Sequence, residues 1–189
     1  MTWDQFNETT PLAVPHEYLE TFLEKVGTGR LLDLGCGTGR HLLPMLTRGF
    51  ETHGLDSSAV AIHASAKIGA MLVQHNMYEA LPYPDNYFDG IIAIQSIYHA
   101  ARQLVRCVAN EVHRICKPEG LFFVNFTTYV PDDARWINPY TFIPQVGTEK
   151  GIPHTKYNSA ALQEDFCLFY FEQDWMDAFN HRCLLLRKK

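Results

Sequence analysis

The sequence predicts an α/β fold built on a parallel sheet, and three observations predict it. From residue 30 to 126 short apolar runs alternate with helical patterns, the form that right-handed βαβ units take in sequence. A glycine-rich turn follows the first run and leads into a helical stretch. Hydrophobic residues make up 47% of the 189 positions, enough for the core of one domain and too many for a disordered chain.

Taken in order, residues 1–29 are read as an N-terminal cap and a helix in which Leu19, Phe22, Leu23 and Val26 share one face. Tyr18 is assigned to the packing of that helix. Strands are expected at 30–34, 51–55, 70–75, 88–95 and 121–126. Before the last of these, Leu104, Val105, Val108, Val112 and Ile115 fall on one helical face, and Pro118 and Gly120 are expected to stop that helix. A short helix at 159–165 precedes two further strands, 166–171 and 182–187. Residues 129–158 show no period but many aromatics, prolines and charges, an unusual length for a mere connection. We take 130–158 as a candidate acceptor lid within a single domain of residues 1–189.

Several function classes are disfavoured at this level. The net charge of −5 is intermixed, and the basic cluster Arg187-Lys188-Lys189 is terminal, so the footprint of a nucleic-acid protein is missing. No run approaches the roughly 18 apolar residues of a membrane span. Five scattered cysteines without a Cys-x-x-Cys pair argue against a disulfide framework and fit a reducing, cytoplasmic setting. Nine histidines show no His-x-His or His-x-x-x-His pair, so no metal site is expected.

The chemistry concentrates in Asp33-Leu34-Gly35-Cys36-Gly37-Thr38-Gly39-Arg40. Glycines there permit a tight turn and let a ligand approach free amides at a helix start. The spacing is Gly-x-Gly-x-Gly, so the third glycine of a dinucleotide pattern would fall on Arg40, and Asp33 stands at the mouth of the loop. A carboxylate there repels a pyrophosphate and attracts an ammonium group. Cys36 reads as a small side chain that fits the loop. Asp56 ends the second strand, where a carboxylate can accept from two ribose hydroxyls, and it can equally cap the helix that begins near Ser57 and Ser58.

Four segments in order, Leu31-Leu32-Asp33-Leu34-Gly35-Cys36-Gly37-Thr38-Gly39, Gly54-Leu55-Asp56-Ser57-Ser58, Glu79-Ala80-Leu81-Pro82-Tyr83-Pro84-Asp85-Asn86-Tyr87-Phe88-Asp89 and Lys117-Pro118-Glu119-Gly120, resemble motifs of the class I S-adenosylmethionine-dependent methyltransferases. Glu149-Lys150-Gly151-Ile152-Pro153-His154 is similar to small bacterial type 11 and tellurite-resistance-like members. The resemblance implies a Rossmann-like three-layer sandwich with a mostly parallel seven-stranded sheet, its last strand antiparallel, and S-adenosylmethionine bound across the carboxyl ends of the first strands.

Carried over by position, the resemblance implies that Asp33 holds the methionine ammonium through water, while Gly35, Cys36, Gly37 and Gly39 supply backbone. Asp56 and Ser57 meet the ribose. Asn76 stands where the family commonly has an aspartate for the adenine amino group, with the Met77 amide beside the ring. Gln95 and Ser96 lie under the methionine moiety, and Tyr98 and His99 point toward the methyl group, where an imidazole can take a proton. Trp3 and Phe6 fall in a segment that often folds over the cofactor in related enzymes. Arg135, Trp136, Tyr140 and His154 are the substrate candidates, offering apolar walls beside basic groups. Asp85, Asn86 and Asp89 match a motif, but a turn into a strand is sufficient explanation for them.

The implied activity is methyl transfer to a small-molecule acceptor, since the sequence motifs of the cytosine C5 and amino-group DNA and protein enzymes are missing. Two rivals stand beside it. A non-catalytic S-adenosylmethionine-binding regulatory or partner module would keep the same loop. A nicotinamide oxidoreductase is disfavoured by Asp33 and the glycine spacing.

Overall fold

Alternation along the central strands decides the layering. Leu31, Ile92, Phe123 and Leu185 pack into one apolar cluster, and their neighbours Leu32, Ile91, Phe122 and Leu184 pack into another on the opposite face of the sheet. The computed structural model describes residues 2–9 and 14–189. Its strands are β1 (Arg30–Leu34), β2 (Glu51–Asp56), β3 (Met71–Gln74), β4 (Phe88–Ala93), β5 (Cys116–Thr127), β6 (Arg135–Asn138), β7 (Thr141–Ile143), β8 (His154–Thr155), β9 (Phe169–Met176) and β10 (His181–Lys188). Its helices are α1 (Trp3–Thr9), α2 (Leu19–Val26), α3 (Leu42–Thr47), α4 (Ala59–Ser65), α5 (Arg102–Ile115) and α6 (Ser159–Asp165).

Seven strands form the main sheet in the order β3-β2-β1-β4-β5-β10-β9. The first five are parallel, while β10 runs antiparallel to both β5 and β9. Order reverses between β1 and β4, and the crevice beyond their carboxyl ends is where such sheets take ligands. Helix α2 covers one face through Leu19, Phe22 and Leu23. Helix α5 covers the other through Val105, Val108, Ala109, Val112 and Ile115, all buried, each large aliphatic side chain contributing about 1.5–3 kcal/mol by removal from water. The arrangement is the three-layer sandwich that the motifs implied.

Three differences from the sequence reading have physical causes. Pro118 and Gly120 do not separate helix from strand: α5 ends at Ile115, β5 begins at Cys116, and the register against β4 shifts there, with Glu119 at φ 64°. Proline lacks a ladder donor, so a bulge is the place in a strand that tolerates it. The strand expected at 166–171 lies at Phe169–Met176, because this edge strand is largely exposed and carries no clean apolar period. The stretch without a readable period, 129–158, contains β6, β7 and β8, a small antiparallel sheet of its own. That sheet is fastened to the loop after β4: Thr155 N–H donates to Tyr98 O at 2.8 Å, and Thr155 Oγ1–H donates to Ala100 O at 2.6 Å.

The acidic turn before β4 acts at the far end of the sheet, in keeping with its structural reading. Asp89 accepts from Arg30 N–H and from Lys117 Nζ, and Asp85 pairs with Arg114.

Candidate active site

At the carboxyl ends of β1 and β4 the backbone leaves its strands under tension that glycine relieves. Gly35, at φ +82°, turns the chain so closely over β4 that an added Cβ would sit 2.5 Å from Ser96 Cβ and 2.9 Å from Met77 Cε. Gly39, at φ +91°, meets Ile68 in the same way and so packs the loop onto the protein instead of facing a ligand. The turn is laced down by Gly35 N–H donating to Leu55 O at 2.7 Å and Ser96 Oγ–H donating to Leu34 O at 2.8 Å. Gln95, just past β4, adopts a left-handed φ of 54° while its amide donates to buried Asn125 Oδ1. Non-glycine residues held there concentrate at functional sites.

Beyond this edge lies a cavity of about 390 Å³, within the usual size of small-molecule sites. Of the residues expected at the cofactor, Gly35, Cys36, Gly37, Asp56, Ser57, Asn76, Met77, Gln95 and Ser96 line it, and so does His99. Trp3 and Phe6, of the segment considered as a cover, line it too, and the structure adds Asn7 of α1, together with Thr38, Arg40, Tyr78 and Ile94. Helix α1 is docked from the side: Asp4 Oδ1 accepts from Ser58 Oγ–H at 2.6 Å and from Val60 N–H at 3.3 Å, so one carboxylate caps the start of α4. Trp3 then stands over the cavity with its ring 4.9 Å from that of His99.

Asp56 is held by backbone amides on both sides, while the cap of α4 is Ser58, whose Oγ accepts from Ala61 N–H at 3.1 Å. Asp56 Oδ2 accepts from Gly37 N–H at 2.8 Å and its Oδ1 from Ser58 N–H at 2.9 Å, yet it still lines the cavity. Burial raises its carboxyl above the ordinary aspartate value, and the two amides work against that shift. Arg40, which the sequence reading noted only as an interruption of the glycine pattern, lines the same cavity and donates to Gln95 Oε1 at 2.8 Å. Burial lowers its pKa, and Asp33 opposes that shift. Cys36 is buried, and burial pushes its thiol well up, in keeping with a space-filling role.

Further expected residues lie outside the wall of this cavity. Asp33 lies beneath the loop, 1% exposed, outside the cavity wall; its Oδ2 accepts from His41 Nδ1–H at 3.1 Å. Its negative charge reaches the site through Arg40. Tyr98 is buried and lines no described cavity, and burial pushes its phenol up, which removes it as a base near neutral pH. Arg135 and Trp136 stand exposed on β6, and Tyr140 packs under the Arg102 guanidinium, so these three line neither described cavity. His154 is buried, with its ring 4.8 Å from that of His99.

Asn76 lines the cavity and is also engaged within its own turn. Its Oδ1 already accepts from Tyr78 N–H at 3.1 Å, and its Nδ2 donates to Glu79 Oε1 at 2.9 Å. An aspartate here would set two carboxylates against each other. Asn76→Asp is therefore expected to weaken S-adenosylmethionine binding a few-fold, on the scale of about 0.5–1.5 kcal/mol for one exposed hydrogen bond. Isothermal calorimetry at low and high salt checks this, since screening should recover part of the loss.

A second cavity of about 480 Å³ adjoins the β6-β7-β8 sheet, with Tyr129, Phe142, Val146, Glu149 and His154 in its wall. Among the described residues no helix is long and apolar enough to cross a membrane.

Comparison with known proteins agrees with this geometry. Residues 32–124 match the family model described as a methyltransferase domain. YqeM of Bacillus subtilis, named as a methyltransferase, is 33% identical over 100 residues, covering 49% of this chain and 40% of YqeM. The match thus spans well under half the length of that curated relative. Among solved structures, the PH0226 protein of Pyrococcus horikoshii superposes with a TM-score of 0.73 at 18% identity, covering 98% of this chain and 99% of the other. TehB of Haemophilus influenzae gives a TM-score of 0.71 at 16% identity, covering 98% of this chain and 66% of the other.

Proposed function

From a chain that carries a methyltransferase domain over residues 32–124 within the class I S-adenosylmethionine-dependent methyltransferase fold, we propose methyl transfer from S-adenosylmethionine to a small-molecule acceptor. The observation that carries the reading is one cavity whose wall combines the glycine turn, an acceptor at Asp56 and a cation at Arg40. The residues fit the cofactor: Gly35 leaves a cradle that a Cβ would fill, Asp56 suits ribose hydroxyls, and Arg40 suits the methionine carboxylate. Trp3, Phe6, Met77 and Ile94 supply apolar walls for a purine.

When bound, the cofactor supplies an activated methyl group on a sulfonium. Displacement from it neutralises charge, so the protein chiefly aligns the partners and excludes water. Helix α1 performs the exclusion, and His99 closes the wall on the side of the β6-β7-β8 sheet. Residues 130–158 serve as the acceptor side, through Phe142, Glu149 and His154 in place of the expected Arg135, Trp136 and Tyr140. The second cavity, about 480 Å³, is of the size that suits a small acceptor.

Calorimetry with S-adenosylmethionine, its demethylated product and NAD tests the cofactor. The first two should bind and NAD should bind more weakly, because the third glycine of a dinucleotide loop is replaced by Arg40 and the buried Asp33 carboxylate lies beneath the turn. Tighter binding of NAD would sink the reading. A screen of thiols, small acids and chalcogen oxyanions with detection of methylated product then tests the acceptor class.

A further inference from the structure

His99 and His154 reach one carboxylate from distant segments, and the direction of their hydrogen bonds leaves the space between them without a donor. His99 Nδ1 lies 3.0 Å from Ser96 O, and His154 Nδ1 lies 2.9 Å from Ile152 O. A carbonyl oxygen only accepts, so each neutral ring carries its proton on Nδ1 and leaves Nε2 bare. Both bare atoms face Glu149: His99 Nε2 is 3.3 Å from Oε1, and His154 Nε2 is 2.9 Å from Oε2. Lone pairs opposed in this way repel, and His99 Nε2 is buried without a hydrogen-bond partner.

We propose that His99, Glu149 and His154 bind a divalent d-block cation, of the zinc class, at the junction of the two cavities. The three ligand atoms lie within 4.8 Å of one another. A tetrahedral ion with bonds of about 2.0–2.1 Å needs ligand atoms about 3.3 Å apart. The His99–Glu149 pair already meets that separation at 3.3 Å. The His154–Glu149 distance, 2.9 Å, is to the other oxygen, Oε2, so the ion takes the carboxylate through both oxygens or turns it to present one. Two imidazoles and a carboxylate suit zinc, iron(II) or manganese, and an Nδ1–H held by a backbone carbonyl is the outer support that metal-binding histidines take. Glu149 is partly exposed and gives the ion a route from solvent.

A second cluster provides the contrast. His16, Asp177 and Cys183 are equally close, but there the protons are placed. Tyr18 N–H donates to His16 Nδ1 at 3.1 Å, so Nε2 carries the proton and donates to Asp177 Oδ2 at 3.1 Å. That cluster is complete without an ion. Because His99 lines the cofactor cavity while Glu149 and His154 line the other, the ion's remaining positions serve a solvent or acceptor oxygen or sulfur. This last step rests on the methyl-transfer reading; the binding of the ion does not.

The test uses the whole protein, stripped with a chelator and dialysed against Zn²⁺ or, separately, Co²⁺. Elemental analysis should find about one ion per chain, and Co²⁺ should give the visible absorption of a four- or five-coordinate site. His154→Ala and the near-isosteric Glu149→Gln should each weaken binding by more than about 100-fold, beyond the 10–100-fold that outer-shell changes cost. Cys183→Ser should leave it unchanged. Calorimetry with S-adenosylmethionine on the same variants reports folding and the cofactor site independently, so failure of the methyl-transfer reading is separable from failure of this one. A wild-type protein that holds no stoichiometric ion, its Nε2 atoms satisfied by protons alone, overturns the proposal. So does an ion lost in Cys183→Ser and kept in His154→Ala.

Discussion

Gly35→Ala is expected to lower the melting temperature by roughly 5–15 °C and to weaken S-adenosylmethionine binding by at least about tenfold. Two costs combine. The residue sits at φ +82°, and an L side chain held there costs about 1–3 kcal/mol. Its Cβ would also lie 2.5 Å from Ser96 Cβ, an overlap with a strand end and not with a flexible tip, worth about another 1–3 kcal/mol. For a chain of this size each kcal/mol moves the midpoint by about 2–4 °C. Relief comes by pushing Ser96 away, which breaks its bond to Leu34 O and widens the cavity floor. Differential scanning calorimetry and a binding isotherm together check the pair of effects. A variant with unchanged melting and unchanged affinity would mean that the turn does not hold the geometry described.

Arg40→Met carries the second large effect. Methionine keeps much of the aliphatic stem and removes the guanidinium, so the charge-assisted contact proposed for the methionine carboxylate cannot form. Hydrogen bonds to charged groups contribute about 1.5–3 kcal/mol, which corresponds to a loss of roughly 10- to 150-fold in affinity. The control is decarboxylated S-adenosylmethionine, which should bind wild type and variant alike. An equal loss for both ligands would show that Arg40 acts only by holding Gln95, its partner at 2.8 Å.

Legibility in the sequence divides along the range of the forces involved. β1 and α6 lie at 30–34 and 159–165, the positions read from the sequence, because the first is buried on both faces and the second has Asn158 accepting from Ala161 N–H at its start. β9 was displaced because its exposed edge has no period to read. Within the site, the residues of the glycine turn and Asp56 are local in sequence, and their gathering at one cavity follows from the parallel order of the strands. Arg40 was visible in the motif and passed over, since its position was judged by what glycine it replaced and not by where a buried cation would point. The meeting of His99 with Glu149 and His154 was not legible at all. About fifty residues separate the two segments, and they are joined by the small sheet and the Thr155 bonds, which no short spacing rule contains.

Asp56 holds the amides of Gly37 and Ser58, so the shape of the glycine turn is set by hydrogen bonds within the chain itself. The conformational entropy of ordering that loop is therefore charged to folding and is absent from the binding step. Association should then show little of the large opposed enthalpy and entropy that accompany coupled ordering, and its negative heat-capacity change should report mainly the apolar surface covered beneath α1.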